Sequence, residues 1–248
     1  MRKFGLIGYP LGHSFSGNYF NDKFLREHIT DCRYSNFELS DIRQLKDVLE
    51  DPELLGLNVT IPYKQSVIAW LHELDPVVRQ TGACNCIRIQ DRRLTGFNTD
   101  VTGFEKSLRQ QWKPEDQKAL ILGTGGASKA VAYVLNKMGI EFLFVSRRKV
   151  PGGNQLLYEE LTEKIILAHP LIINSTPLGM HPEMNVFPPI PYEFLNSTHY
   201  LFDLIYNPPQ TEFLRRGEAR GARTKNGADM LKIQADASWE IWNPGSGA

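Results

Sequence analysis

A glycine-rich loop is the clearest chemical signal in this sequence. The apolar residues 120–122 (LIL) lead directly into residues 123–128 (GTGGAS), and a strongly amphipathic helical pattern follows. Glycines in such a loop allow a tight turn and the close approach of a pyrophosphate, and the helix N-terminus offers unpaired N–H groups and the positive end of its dipole. The loop therefore predicts a dinucleotide site, against the simpler interpretation of a plain strand–helix turn.

A run of basic residues follows the next predicted strand. That strand, 141–146, ends in residues 146–149 (SRRK). An NAD site usually has Asp or Glu about 20 residues after the glycines, where it binds the ribose 2′-hydroxyl. A guanidinium can instead pair with a 2′-phosphate through two charge-assisted hydrogen bonds. The basic run favours NADP over NAD, and over a solvated basic turn.

Polar side chains gather after several predicted strands in the first half of the chain. They occur in residues 12–16 (GHSFS), 58–64 (NVTIPYK), 82–85 (GACN) and 96–100 (GFNTD). Ligands of open parallel sheets bind beyond the carboxyl ends of the strands. Hydroxyls, amides, one Lys and one Asp placed there would suit a small polyhydroxylated acid. Each residue alone is more simply explained as a turn, cap or solvated group, with Asp100 as the N-cap of a helix from Val101.

The elements that must position these residues alternate between strands and helices. Apolar runs predict strands over 3–8, 33–39, 56–61, 84–90, 118–122, 141–146, 171–175 and 200–205. Apolar residues at helical spacing predict helices over 41–50, 126–139 and about 228–242. This alternation indicates an α/β protein with parallel sheets covered on both faces. The charged stretch 109–117 is the candidate junction between two such units.

Composition excludes several other classes of protein. The 248 residues include 28 Lys+Arg and 28 Asp+Glu, so the net charge of zero argues against nucleic-acid binding. Apolar runs are only a few residues long, whereas a membrane span needs about 20, and the glycine-broken N-terminus is a poor signal peptide. The three cysteines cannot all pair and show no zinc spacing. We therefore expect reduced thiols, no metal site and a cytoplasmic location.

Seven motifs, in order and over nearly the whole chain, resemble those of the shikimate dehydrogenase family. They are residues 8–16 (GYPLGHSFS), 58–64 (NVTIPYK), 82–85 (GACN), 96–100 (GFNTD), 123–128 (GTGGAS), 174–180 (NSTPLGM) and 227–234 (GADMLKIQ). The resemblance implies an open mixed α/β substrate domain over 1–103 and a Rossmann-like NADP-binding domain over 104–224. It also implies a C-terminal helix, 225–248, that returns to the first domain.

The resemblance also assigns roles to residues. The catalytic pair would be Lys64 and Asp100. The residues that would bind substrate are Ser14 and Ser16 (carboxylate), Asn58, Thr60 and Asn85, with Tyr206 and Gln234. The residues that would bind or lie near the cofactor are Gly123, Thr124, Gly125, Gly126, Ala127, Ser146, Arg147, Arg148, Thr176, Gly227 and Met230.

The implied activity is the reversible, NADPH-dependent reduction of 3-dehydroshikimate to shikimate, in chorismate and aromatic amino acid biosynthesis. The expected partner is therefore a small molecule, with no nucleic acid or membrane, for a monomer or homodimer. One alternative is a quinate/shikimate dehydrogenase that uses NAD or NADP. Another is a non-catalytic nucleotide or hydroxy-acid sensor, which would have no need of Lys64 and Asp100.

Overall fold

The chain divides into two compact units. The computed structural model describes residues 1–12, 15–149 and 154–245. The first unit comprises residues 1–103 and 231–248, and the second comprises 104–230. The charged stretch 109–117 is not the junction, because it lies inside the second unit. The Asp116 carboxylate there is 1% exposed and pairs with Arg223 at 2.8 Å, which holds the stretch against that unit's last strand.

The first unit contains a six-stranded mixed sheet. Its strands are β1 (Arg2–Gly8), β2 (Cys32–Glu38), β3 (Leu54–Val59), β4 (Glu73–Leu74), β5 (Cys86–Gln90) and β6 (Arg93–Phe97). They lie in the order β2-β1-β3-β5-β6-β4. The expectation of parallel strands fails at β5, which is antiparallel to both β3 and β6. The reason is local: only Asp91 and Arg92, both at positive φ, join β5 to β6, and such a two-residue turn makes a hairpin.

Helices cover this sheet and lead into the second unit. They are α1 (Phe15–Arg26), α2 (Leu45–Val48), α3 (Pro76–Thr81) and α4 (Thr99–Arg109), and part of α8 (Ala228–Trp242) also belongs to the first unit. The helix predicted over 41–50 is shorter, a 3₁₀ turn followed by α2. The unit boundary falls inside α4, between Gly103 and Phe104.

Helix α8 has the predicted bounds, and from Leu231 onward it packs in the first unit. Ala235, Ser238 and Trp242 are buried, at the spacing of one helix face. The indole Nε1 of Trp242 donates to the backbone oxygen of Ile87 at 2.9 Å. Trp242 can lie this close to the sheet because Gly56 has no side chain; a Cβ there would be 2.3 Å from Trp242 Nε1.

The second unit is a doubly wound, fully parallel sheet, as the glycine loop predicts. Its strands are β7 (Lys118–Leu122), β8 (Glu141–Ser146), β9 (Gln155–Leu157), β10 (Leu171–Asn174), β11 (Tyr200–Asp203) and β12 (Arg223–Lys225). Their order is β12-β11-β10-β7-β8-β9. Its helices are α5 (Gly126–Lys137), α6 (Glu163–Ala168) and α7 (Glu212–Glu218).

The buried strands of this sheet form the core of the second unit. β10 and β11 are buried along their whole length, so they pack on both faces.

Within the part of the chain that the structure describes, none of the helices is long and apolar enough to span a membrane.

Candidate active site and cofactor loop

Lys64 and Asp100, far apart in the chain, form an ion pair in the first unit. Lys64 follows β3 by five residues, and Asp100 lies in the first turn of α4, where the helix dipole favours a carboxylate. The Lys64 Nζ is 2.7 Å from Asp100 Oδ2, and the side chains are 24% and 11% exposed. The pair is thus mostly shielded from water. Because α4 begins at Thr99, Asp100 is inside the helix and is not its N-cap.

Asn85 connects this ion pair to helix α8. Its Nδ2 lies 2.9 Å from Asp100 Oδ1 and 2.9 Å from Gln234 Oε1. Its Oδ1 accepts from the backbone N–H of Thr99 at 2.7 Å. The carboxylate of Asp100 therefore has one oxygen held by the amide and the other directed to Lys64. Four residues predicted to act together (Lys64, Asp100, Asn85 and Gln234) form one hydrogen-bonded cluster.

Asn58 joins the same cluster directly, by donating to the Asn85 backbone oxygen at 3.3 Å, and also through residues that sequence reasoning did not single out. Its Oδ1 accepts from the Tyr34 hydroxyl at 2.8 Å, and its Nδ2 donates to Ser238 Oγ at 2.9 Å. Ser238 Oγ is also 3.2 Å from Thr99 Oγ1. Burial raises the pKa of Tyr34 well above its usual range, so its hydroxyl stays a donor. The spacing from Gln234 could have identified Ser238, because a residue four positions later lies on the same face of the predicted helix.

The other predicted substrate residues come from separate segments of the chain. Ser16 is half-buried in the first turn of α1, and its side chain forms a hydrogen bond with Tyr34 of the cluster. Thr60 is half-buried directly after β3. Ser14 lies outside the described residues. Tyr206 belongs to the second unit, three residues after β11, where burial raises the pKa of its hydroxyl.

The glycine loop in the second unit fits a pyrophosphate. Gly123 has a φ of +99°, and a Cβ there would lie 2.9 Å from the Thr176 methyl group. A Cβ at Gly125 or Gly126 would meet nothing within 4 Å, so there is open space beside the loop. Helix α5 begins at Gly126 with no side-chain cap, which leaves its first N–H groups to a ligand. Thr124 and Ala127 lie in the same loop and first turn, exposed and half-buried respectively.

The basic turn after β8 has a fixed backbone and exposed cations. The buried Ser146 hydroxyl donates to the Arg148 backbone oxygen at 2.6 Å, and Gln155 Nε2 donates to that same oxygen at 2.9 Å. Arg147 and Arg148 are exposed. Lys149 instead pairs with Glu160 at 2.5 Å. The turn therefore presents two guanidiniums suited to a phosphate, while the lysine already has a carboxylate partner.

The remaining predicted cofactor residues lie in the loop after β10 and at the start of α8, in the second unit. Thr176 donates from its backbone N and its Oγ1 to Asn174 Oδ1, at 3.0 and 2.6 Å. Gly227 packs directly on the β11 loop, where a Cβ would come 2.2 Å from the Leu204 oxygen. Met230 is half-buried in the first turn of α8. Among the described residues, no group of three His, Cys, Asp or Glu could hold a metal ion.

Comparison with known proteins finds similarity to one family. Residues 6–87 match the family model of the shikimate dehydrogenase substrate binding domain. The shikimate dehydrogenase (NADP⁺) of Caldicellulosiruptor saccharolyticus is 36% identical, over 98% of this chain and 92% of that protein.

Solved structures are also similar over nearly the whole chain. Shikimate dehydrogenase 1 of Peptoclostridium difficile is 37% identical, with a TM-score of 0.84 over 98% of this chain and 91% of that one. The quinate dehydrogenase of Corynebacterium glutamicum in complex with NAD is 26% identical, with a TM-score of 0.86 over 98% and 93% of the two chains. Because more than a third of its residues match a curated relative over nearly the full length of both chains, the chain belongs to the shikimate dehydrogenase family.

Proposed function

We propose that the protein catalyses the reversible, NADPH-dependent reduction of 3-dehydroshikimate to shikimate. The observation that supports this most directly is the Lys64–Asp100 ion pair of 2.7 Å, tied through Asn85 to Gln234, in a member of this family. The activity belongs to chorismate and aromatic amino acid biosynthesis. The first unit would bind the hydroxy acid, and the second would bind NADPH.

Lys64 has the chemistry that reduction of a ketone needs. When bound, NADPH supplies a hydride to the carbonyl carbon, and negative charge grows on the oxygen. The Lys64 ammonium stabilises that charge and donates a proton to the oxygen as the alcohol forms. In the reverse direction the neutral amine accepts the proton. Asp100 holds the ammonium in place, because its other oxygen is fixed by Asn85.

The substrate would be held by neutral hydrogen-bonding groups. Asn58, Thr60, Asn85 and Gln234 would bind ring hydroxyls, with Tyr206 contributing from the second unit, and Ser14 and Ser16 would bind the carboxylate. The buried network from Tyr34 to Ser238 supports this, since it fixes the Asn58 amide before a ligand arrives. Amides already held in place lose little freedom on binding, which favours affinity.

NADP would be bound by the carboxyl-end loops of the second sheet. The pyrophosphate would lie on the glycine loop and the α5 N-terminus, and Arg147 and Arg148 would bind the 2′-phosphate. Thr176, Gly227 and Met230 would lie near the rest of the cofactor. The three free cysteines are consistent with a cytoplasmic location, which we also propose, for a monomer or homodimer without nucleic-acid or membrane partners.

One assay tests the reaction. Purified protein is mixed with NADPH and 3-dehydroshikimate while nicotinamide absorbance is followed. Consumption of NADPH that depends on the ketone supports the proposal. Binding of both compounds without turnover would instead identify a sensor on the same fold.

A second assay separates the quinate alternative, which the likeness to a quinate dehydrogenase keeps open. Quinate carries an added hydroxyl that a pocket fitted to shikimate must bind or leave desolvated, at about 1–3 kcal/mol. We therefore expect kcat/KM for shikimate to exceed that for quinate at least about tenfold. Comparable values would assign the protein to the quinate-using alternative.

A further inference from the structure

A fully buried carboxylate in the second unit has no part in the mechanism above. Asp203, the last residue of β11, has no exposed surface. Its hydrogen-bond donors are all neutral. Thr211 Oγ1 donates to Oδ2 at 2.6 Å, while the Ile205 backbone N and Asn174 Nδ2 donate to Oδ1 at 3.0 and 3.1 Å. Burying a carboxylate without a cation is costly, and burial raises the pKa of Asp203 to about 7. A leucine in this place would avoid that cost.

The two bonds to Oδ1 connect neighbouring loops that carry proposed functional residues. Asn174 ends β10, and its own Oδ1 accepts from the backbone N and the hydroxyl of Thr176. Ile205 directly precedes Tyr206, and its backbone oxygen accepts from Gly227 N at 2.9 Å. A single oxygen of Asp203 thus holds the loop after β10, the loop after β11 and, indirectly, the start of α8.

We propose that Asp203 is a positioning residue for this reaction: its carboxylate fixes the loops after β10 and β11 so that Thr176 and Tyr206 are placed for the cofactor and the substrate. The inference rests on the proposed function, since it concerns the same reaction. Asp203 itself would contact neither ligand.

The hydrogen bonds distinguish positioning from general support of the fold. In Asp203→Asn, Oδ1 can still accept from Ile205 and Asn174, and the new NH₂ can donate to Thr211, because a hydroxyl is both donor and acceptor. Asp203→Ala removes all three bonds. Thr211→Val removes the bond to Oδ2 and the N-cap of α7, and leaves both loop bonds intact. This variant is the matched control, since it destabilises the protein without releasing either loop.

A further variant, Asn174→Asp, cuts the connection between Asn174 and Asp203, together with the longer 3.4 Å bond from Asn174 Nδ2 to the Leu178 backbone oxygen within the same loop. In Asn174→Asp, Oδ1 can still accept from Thr176, but an acceptor replaces the NH₂ that faced Asp203, and two carboxyl oxygens now oppose each other. At a pH well above the Asp203 pKa of about 7, where neither carboxyl keeps a proton to share, this separates the Thr176 loop from Asp203 while Asp203 keeps Ile205 and Thr211. It also replaces Asp203→Ala as the decisive variant if the alanine protein does not fold.

The test uses the full-length protein, with NADPH affinity measured by nicotinamide fluorescence, turnover measured by absorbance, and Tm measured for every variant. We expect Asp203→Ala and Asn174→Asp to raise the Kd for NADPH about tenfold and to lower kcat, which corresponds to the loss of one or two positioning bonds. Asp203→Asn and Thr211→Val should stay within about threefold of wild type, although Thr211→Val lowers Tm.

Each contrary outcome can be recognised. Wild-type affinity and kcat in folded Asn174→Asp would overturn the proposal. So would an Asp203→Asn protein as weak as Asp203→Ala, or a Thr211→Val protein that loses affinity in proportion to its Tm. If wild-type protein neither binds NADPH nor reduces 3-dehydroshikimate, the proposed function fails and this inference fails with it. If wild-type protein does both, the variants judge the inference alone.

Discussion

At the scale of single residues, the proposed chemistry depends on the ammonium of Lys64. We expect Lys64→Ala to lower kcat by about 10²–10⁴, the usual range for a lost general acid. The affinity for shikimate should change far less, because the ring hydroxyls keep their amide partners. Steady-state kinetics and a shikimate titration would measure both. Lys46→Ala is the control, since that lysine side chain is 71% exposed and has no proposed role in the reaction. Near-normal turnover in Lys64→Ala would remove Lys64 from the mechanism.

We also expect single residues in the turn after β8 to decide cofactor choice. Arg147→Ala should weaken NADPH binding by roughly 1.5–3 kcal/mol, the scale of a hydrogen bond to a charged group, and leave NADH binding nearly unchanged. Lys149→Ala removes the same charge from the same turn, but this lysine already pairs with Glu160, so its effect should be smaller. Fluorescence titrations with both cofactors measure the difference. Equal losses for NADPH and NADH would mean that Arg147 does not bind the 2′-phosphate.

Asp203 gives the protein a specific dependence of stability on pH. Burial raises its pKa from 3.8 to about 7, so the folded state binds this proton more tightly than the unfolded state. Its contribution to stability is therefore full below about pH 4 and is lost as pH rises to about 7. Asp203→Asn removes this dependence. The free energy of unfolding of the variant, relative to wild type, should rise with pH across this window and level off above it.

Urea unfolding of both proteins at pH 5 and pH 8 would measure this, because all other titrating groups are shared and cancel in the difference. The same difference at both pH values would contradict a raised pKa for Asp203.

At the scale of elements, we expect the contact of helix α8 with the first sheet to connect stability to substrate binding. Gly56→Ala would place a Cβ 2.3 Å from the indole of Trp242, so the indole or the helix that carries it must shift. Forcing extra atoms into a packed site costs about 1–3 kcal/mol. Because Gln234 and Ser238 lie on the same helix and bond to Asn85 and Asn58, we expect KM for shikimate to rise as well.

Urea unfolding and steady-state kinetics of Gly56→Ala would test this connection. Trp242→Ala makes the opposite change at the same contact, because it removes atoms and leaves a cavity. The expected cost is about 3–5 kcal/mol. A loss of stability with unchanged KM in both variants would show that α8 does not position Gln234.

At the scale of the whole molecule, we propose that the two units divide the ligands between them. Amide hydrogen exchange should show protection by shikimate mainly in residues 1–103 and 231–245. Protection by NADPH should occur mainly in the second unit, around the glycine loop, the basic turn and the Thr176 loop, because bound ligands suppress local opening where they bind. Protection by NADPH confined to residues 1–103 would contradict this division.

Several features follow from the sequence alone because they depend on neighbours along the chain. Strands β7 and β8 and helix α8 have the bounds that apolar runs and helical spacing predict. The glycine loop is recognisable because a tight turn, a preceding strand and a following helix are all encoded within a few residues. The seven motifs were sufficient to identify the family, because each is a run of consecutive residues that can be recognised without knowledge of the fold.

Other features depend on residues that only the fold brings together. Strands β4, β9 and β12 have only two or three residues, which is too few to show an alternating apolar pattern. They are strands because they hydrogen-bond to a neighbouring strand, and the sequence does not show that neighbour. The roles of Tyr34, Ser238 and Asp203 were equally hidden. Nothing in the neighbouring sequence distinguishes these residues. Their hydroxyls and carboxylate acquire specific hydrogen-bond partners only when the fold buries them. Asn85 meets Gln234 across 149 positions of the chain, and no local pattern can encode a hydrogen bond whose partners become neighbours only when the chain has folded.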